Sequence, residues 1–181
     1  MQQLNLPAYT LQSLKDHSYP QSKALEWLSK AVFTDPAFSE MPQWRKQQLF
    51  ALATVYYAFL GDSWPGSEKQ HYLSSSVSEC DWRGDDTLQA WDFTNQCDLD
   101  GRFTRLTLDY TDMAVIGATM PPEITLLSSL EGLLFGYNVG ISGEMADMLP
   151  TQLVDLSNLT RLTIWLPGVD DAIDLVELAL E

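Results

Sequence analysis

Basic residues are scarce in this chain: 10 Lys and Arg stand against 25 Asp and Glu, a formal net charge of −15. That balance argues against nucleic acid or an anionic membrane as partner, since both require a basic face. A solubilising acidic surface accounts for the charge without any further role. Histidine occurs only at positions 17 and 71, and cysteine only at 80 and 97. Nucleophilic catalysis would have to combine His71 with Cys80 or one of Ser74, Ser75 and Ser76, with no G-x-S-x-G turn around them. The chain also lacks a phosphate loop, a Gly-rich dinucleotide turn and a metalloprotease helix. Asp85-Asp86 and Asp170-Asp171 read as solvated loop acids rather than paired glycosidase carboxylates. Two cysteines with no histidine near them fall short of four zinc ligands. The expectation is a chain that is not an enzyme and holds no cofactor or metal.

Long apolar runs are missing as well. The longest, Leu49 to Leu60, is broken only by Thr54 and falls well short of the roughly 20 residues that span a bilayer. Residues 1–22 contain no apolar segment of the kind a secretory leader needs. A buried helix is expected at 49–60, and no membrane insertion by this chain. With 181 residues and 45% hydrophobic composition, the chain suits one domain with a real core, or a small cap followed by a short repeat array.

What the chain does have is self-similarity. Pro121 to Phe135 lies on Pro150 to Ile164 at an offset of 29 residues: proline, an acid or its amide, an aliphatic, Leu-Ser, then L-x-x-L-x-L. A third L-x-x-L-x-L stands at Phe103-Thr104-Arg105-Leu106-Thr107-Leu108. Periods of 20 to 50 residues mark stacked architectures, and this spacing is that of leucine-rich repeats. The expected inward positions are Phe103, Leu106, Leu108, then Leu130, Leu133, Phe135, then Leu159, Leu162, Ile164. Each such side chain, fully buried, contributes roughly 1.5 to 3 kcal/mol. One coil cannot cover its own apolar side, so about three are needed for stability.

If the strands form a parallel sheet, the x positions of L-x-x-L-x-L and the two residues after it face the opposite, concave side. They are Arg105, Thr107, Asp109 and Tyr110; Gly132, Leu134, Gly136 and Tyr137; and Arg161, Thr163, Trp165 and Leu166. Arginine and aromatic side chains in stacked rows suit a protein or peptide ligand. The alternative is that Leu134 and Trp165 are covered by further repeats or by a loop. Asn138, three residues after Phe135, is placed to satisfy backbone groups at the bend that follows the strand.

Ahead of the repeats, residues 1–20 read as a loose lead-in. The spacing of Ala24, Leu25, Leu28, Ala31 and Val32 predicts a helix from Ser22 that stops at Asp35-Pro36. A second helix is expected from near Pro42, ended by Gly61. Its second half is apolar nearly all round, so it needs cover on several sides. Gly61 to Gly66 is turn chemistry, Leu88 to Thr94 a candidate edge strand, and Asp100-Gly101 a turn directly before the first repeat strand. Leu175 to Leu180 reads as a truncated repeat or a short closing helix.

Several segments resemble plant-type leucine-rich repeat proteins. Asn138-Val139-Gly140-Ile141-Ser142-Gly143 and Gly117-Ala118-Thr119-Met120-Pro121 are similar to the family's N-x-L-x-G-x-I-P flank. Gln48 to Ala58, Gly61-Asp62-Ser63-Trp64, Glu79-Cys80-Asp81-Trp82, Cys97 and Asp98 to Phe103 resemble its cap and first strand, most of all in the diatom and algal members. Ala24-Leu25-Glu26-Trp27-Leu28 with Asp35-Pro36 looks like theirs too.

The resemblance implies an α/β fold: an N-terminal helical cap over 21–100, then a short leucine-rich repeat solenoid of about three coils over 101–181, its parallel β-sheet on the concave face. It also implies a disulfide between Cys80 and Cys97 and hence an oxidising compartment; two buried thiols in an intracellular protein are the alternative. Asn158-Leu159-Thr160 is a glycosylation acceptor triplet if the chain is secreted, although the repeat itself tends to write the same residues.

The function this implies is a non-catalytic protein- or peptide-binding module, the recognition part of a secreted or cell-surface protein. The alternatives are a fragment of a receptor-like kinase whose catalytic domain lies elsewhere, and an intracellular scaffold with reduced thiols.

Overall fold

The computed structural model of the chain describes residues 4–64, 71–82, 96–108, 119–135, 149–164 and 173–174. Helices come first: α1 (Ala8–Ser13), α2 (Pro20–Thr34), α3 (Pro36–Glu40) and α4 (Gln43–Ala58). A mixed sheet follows, with β1 (Gln96–Cys97), β2 (Phe103–Leu108), β3 (Gly132–Phe135), β4 (Arg161–Ile164) and β5 (Ile173–Asp174) side by side in chain order. The middle three strands run parallel, and the two-residue strands at either end pair antiparallel. The architecture is therefore α/β with a small parallel sheet of three strands.

Register ties the sheet to the sequence repeat. Leu106 lies beside Leu133 and Leu133 beside Leu162; Leu108 pairs with Phe135 and Phe135 with Ile164. Phe103, Leu106, Leu108, Leu130, Leu133 and Ile164 are buried, while Leu159 and Leu162 are half-buried against the same core. Phe135 is described by its backbone alone. Between the parallel strands, 3₁₀ turns at Pro122–Leu126 and Thr151–Asp155 pack against one another, and the first also packs against α4. Both follow a proline, Pro121 at φ −68° and Pro150 at φ −67°, where the ring fixes the backbone that enters the turn.

Cap and strands share one core. Ala24, Leu28 and Ala31 on α2 face α4, and Leu49 through Val55 are buried on every side of α4, between α2 and the first 3₁₀ turn. This is the cover that an all-round apolar helix requires. Asp35 ends α2 and caps α3, its side chain accepting from the N–H of Ala37 at 2.9 Å, with Pro36 at the first helical position. Cys80 and Cys97 form a disulfide that joins the 3₁₀ turn Glu79–Asp81 to β1.

Two local expectations are corrected. The lead-in is not loose: α1 forms within it, and Thr10 is fully buried against the first 3₁₀ turn. Gly61 does not end α4; the helix stops at Ala58, Leu60 takes the left-handed conformation (φ 50°), and Gly61 opens a 3₁₀ turn. Glycine is needed there for space, because a Cβ would collide with the ring of Tyr56. Near the C-terminus, Ile173–Asp174 pairs antiparallel with β4 and closes that edge of the sheet at these positions. Leu175 to Leu180 and the candidate strand at 88–94 lie outside the described residues.

Candidate peptide-binding face

On the side of the sheet away from the core, side chains stand in rows set by the register. The first row is Arg105, Gly132, Arg161. Arg161 is exposed and Arg105 half-buried. Arg105 lies over Gly132, whose missing Cβ would sit 3.4 Å from its Cγ and 3.6 Å from its Nε. Thr104, Glu131 and Thr160 complete the lining of a cleft of about 110 Å³ between these arginines. Its floor is held by the Thr104 carbonyl accepting from the N–H of Glu131 at 2.8 Å. The Glu131 carbonyl accepts in turn from Thr160 at 2.9 Å and Arg161 at 3.0 Å.

The second row is Thr107, Leu134, Thr163. It is not an open surface: Thr107, Leu134 and Thr163 are all buried, at 0%, 7% and 4% exposure. Both threonines, like Arg105, are engaged within the chain. For Leu134 the covered alternative is therefore the one observed. Asp109, Tyr110, Tyr137 and Trp165, and with them Asn138, lie outside the described residues.

Asn158 sits in an exposed turn, where its side-chain amide donates to the carbonyl of Ser128 at 2.8 Å. Thr160 donates through its hydroxyl to the Glu131 carbonyl at 3.2 Å. Both polar residues of the acceptor triplet thus brace one rung against the rung before it.

Sequence reasoning missed the polar knot beneath β2. Glu79, 2% exposed, accepts a bidentate pair from Arg45 at 2.9 and 2.8 Å and a third bond from the Gln48 amide at 2.9 Å. The same amide donates to the Gly101 carbonyl at 2.9 Å. Its hydrogen bond with Glu79 holds the Arg45 guanidinium above its ordinary pKa. A second buried carboxylate, Glu123, accepts from Thr10 at 2.7 Å and Gln21 at 3.0 Å and so fastens α1 and α2 to the first 3₁₀ turn. Beside it burial raises the pKa of Tyr9, whose hydroxyl lies 3.0 Å from that of Thr125.

The signal for both carboxylates was thin: a polar residue, Gln48, opening an apolar run, and an acid placed after two prolines. Arg102 stacks 4.2 Å from the centre of the Trp44 ring beside a second cleft of about 160 Å³. Among the described residues no group of three or more His, Cys, Asp or Glu is placed to hold a metal ion.

Comparison with known proteins finds no family that matches the chain and no significant match among curated proteins or solved structures.

Proposed function

We propose that this chain is a short leucine-rich repeat module, of the plant type its motifs resemble, and that it binds a protein or peptide without transforming it. The carrying observation is the in-register row Arg105, Gly132, Arg161 on the sheet face opposite the core. A hydrogen-bonded sheet holds the backbone of such a row at strand spacing, so the face need not rearrange its main chain on binding, which favours recognition. The Cys80–Cys97 bridge supports a secreted or cell-surface setting over a reduced intracellular scaffold. No helix among the described residues is long and apolar enough to cross a membrane. A receptor-like protein that carries this chain as its recognition part fits the same reading.

The test is site-specific photo-crosslinking on the intact chain. A photoreactive residue at Thr160, on the sheet face, is expected to capture one defined partner from the source tissue; the same residue at Phe33, exposed on α2, is not. Capture from Phe33 and none from Thr160 would sink the proposal.

A further inference from the structure

We propose that Asn158, in the exposed turn that leads into β4, is an attachment site for an N-linked glycan. The inference rests on the secreted or cell-surface setting proposed above and adds a covalent modification to it. Of the four asparagines, at 5, 95, 138 and 158, Asn158 alone is followed two residues on by serine or threonine. That spacing, with no proline between, is the acceptor pattern of secretory glycosylation.

The repeat does not account for these two residues. The register that aligns Arg105, Gly132 and Arg161 puts Arg102 and Ser129 at the place of Asn158, and Thr104 and Glu131 at that of Thr160. Bonding from rung to rung at this level belongs to the main chain. The N–H of Glu131 donates to the Thr104 carbonyl at 2.8 Å, as the N–H of Thr160 donates to the Glu131 carbonyl at 2.9 Å. The Glu131 carbonyl also accepts from the N–H of Arg161 at 3.0 Å. Its two lone pairs are thus served by backbone, and the Thr160 hydroxyl at 3.2 Å is surplus to the ladder. The acceptor pattern, by contrast, requires a hydroxyl there.

The folded turn has room for the sugar. Ser157, Asn158 and Thr160 are all exposed, so a bulky polar glycan stays in water. In the transfer, the Asn158 Nδ2 bonds to the anomeric carbon of a lipid pyrophosphate-linked oligosaccharide. The bond from that carbon to the pyrophosphate oxygen breaks, its electron pair leaving with the lipid pyrophosphate. One amide proton passes to a base of the transferase. The side-chain nitrogen starts with two hydrogens. The one that remains suffices for the bond that Asn158 makes to the Ser128 carbonyl at 2.8 Å. The turn therefore keeps its brace with the glycan in place.

The experiment purifies the full chain from its natural source. Mass spectrometry then reads the peptide that holds Asn158, before and after enzymatic deglycosylation, together with the state of Cys80 and Cys97. A glycan on Asn158 is expected. The same chain is also expressed behind a secretory leader in eukaryotic cells. There the glycan is expected on the wild type and on Thr160→Ser, and is expected to be lost in Asn158→Gln and Thr160→Ala. The Thr160→Ser arm keeps the test decisive if Asn158→Gln disturbs the turn. A wild type left bare in those cells overturns the inference, as does a bare Asn158 in the native chain. A bare Asn158 beside an intact Cys80–Cys97 bridge removes the glycan and leaves the secreted setting standing. A bare Asn158 beside two free thiols brings down both.

Discussion

The side-chain oxygen of Gln48, on α4, accepts the backbone N–H of Phe103, the first residue of β2, at 2.9 Å. One amide thereby satisfies the start of the parallel sheet, the turn before it and the buried Glu79. Gln48→Ala strands Phe103 N–H and Gly101 C=O away from water and removes a donor from a buried carboxylate. The expected loss is about 3 kcal/mol, read as a lower urea midpoint at unchanged slope. A loss below about 1 kcal/mol would show that water replaces the amide and that cap and sheet are joined by apolar packing alone.

The disulfide links residues 17 apart in sequence. Closing a loop of that size contributes about 3 kcal/mol, chiefly by restricting the unfolded chain. Reductant, or the double change Cys80→Ser with Cys97→Ser, is expected to lower the urea midpoint by a corresponding amount while the helical circular dichroism persists. Thiol titration of the native protein gives the direct check: two reactive thiols before reduction contradict the bridge.

Alkaline pH is expected to destabilise the fold. Burial raises the pKa of Tyr56, helped by its hydrogen bond to Asp62; burial raises that of Tyr57 as well, with Asp62 and Glu26 adding to it. A raised folded pKa means the unfolded chain releases these protons first. Their contribution is fully present below about pH 10, the ordinary phenol value, and is lost as pH climbs beyond it. Urea midpoints measured from pH 9 upward are expected to fall, less steeply in Tyr56→Phe. A flat profile in the native protein would contradict this.

Two glycines are expected to respond differently to alanine. Gly61 lies against the ring of Tyr56, which is itself set among Tyr57, Trp64 and Tyr72 with ring centres 5.3, 5.1 and 5.6 Å away. Gly61→Ala forces that cluster to move, at a cost of about 2 kcal/mol and with altered near-ultraviolet circular dichroism. Gly132→Ala meets Arg105 at ordinary contact distance and is expected to stay within about 0.5 kcal/mol. Equal losses at both sites would overturn the steric account of Gly61.

The parallel rungs were legible because their evidence is periodic. Leu106, Leu133 and Leu162 recur at offsets of 27 and 29, and those offsets reappear as hydrogen-bond register. Asp100-Gly101 was legible for a different reason, since a turn signal is local: Gly101 has φ 80° directly before β2. Packing partners were not, because the contacts that place them link residues far apart in the chain. Nothing in residues 8–13 announces that Thr10 will meet Glu123, 113 positions away. Gly61 shows the converse error: a residue type that commonly ends helices stands there for the room that the ring of Tyr56, one turn earlier, needs. On the candidate face, alternation identified which side Thr107, Leu134 and Thr163 point to, but alternation carries no information on whether that side meets water. Arg161 reaches it and Thr163, two residues on, does not.

The antiparallel pairing of Ile173 and Asp174 with Ile164 and Thr163 limits how such a ladder grows. While those bonds hold, the outer edge of the third rung offers no free template at these positions, so another copy of the chain cannot extend the stack there by simple apposition. Insertion of a duplicated unit between β2 and β4 would lengthen the face without disturbing that closure, and would move Arg105 and Arg161 one strand further apart.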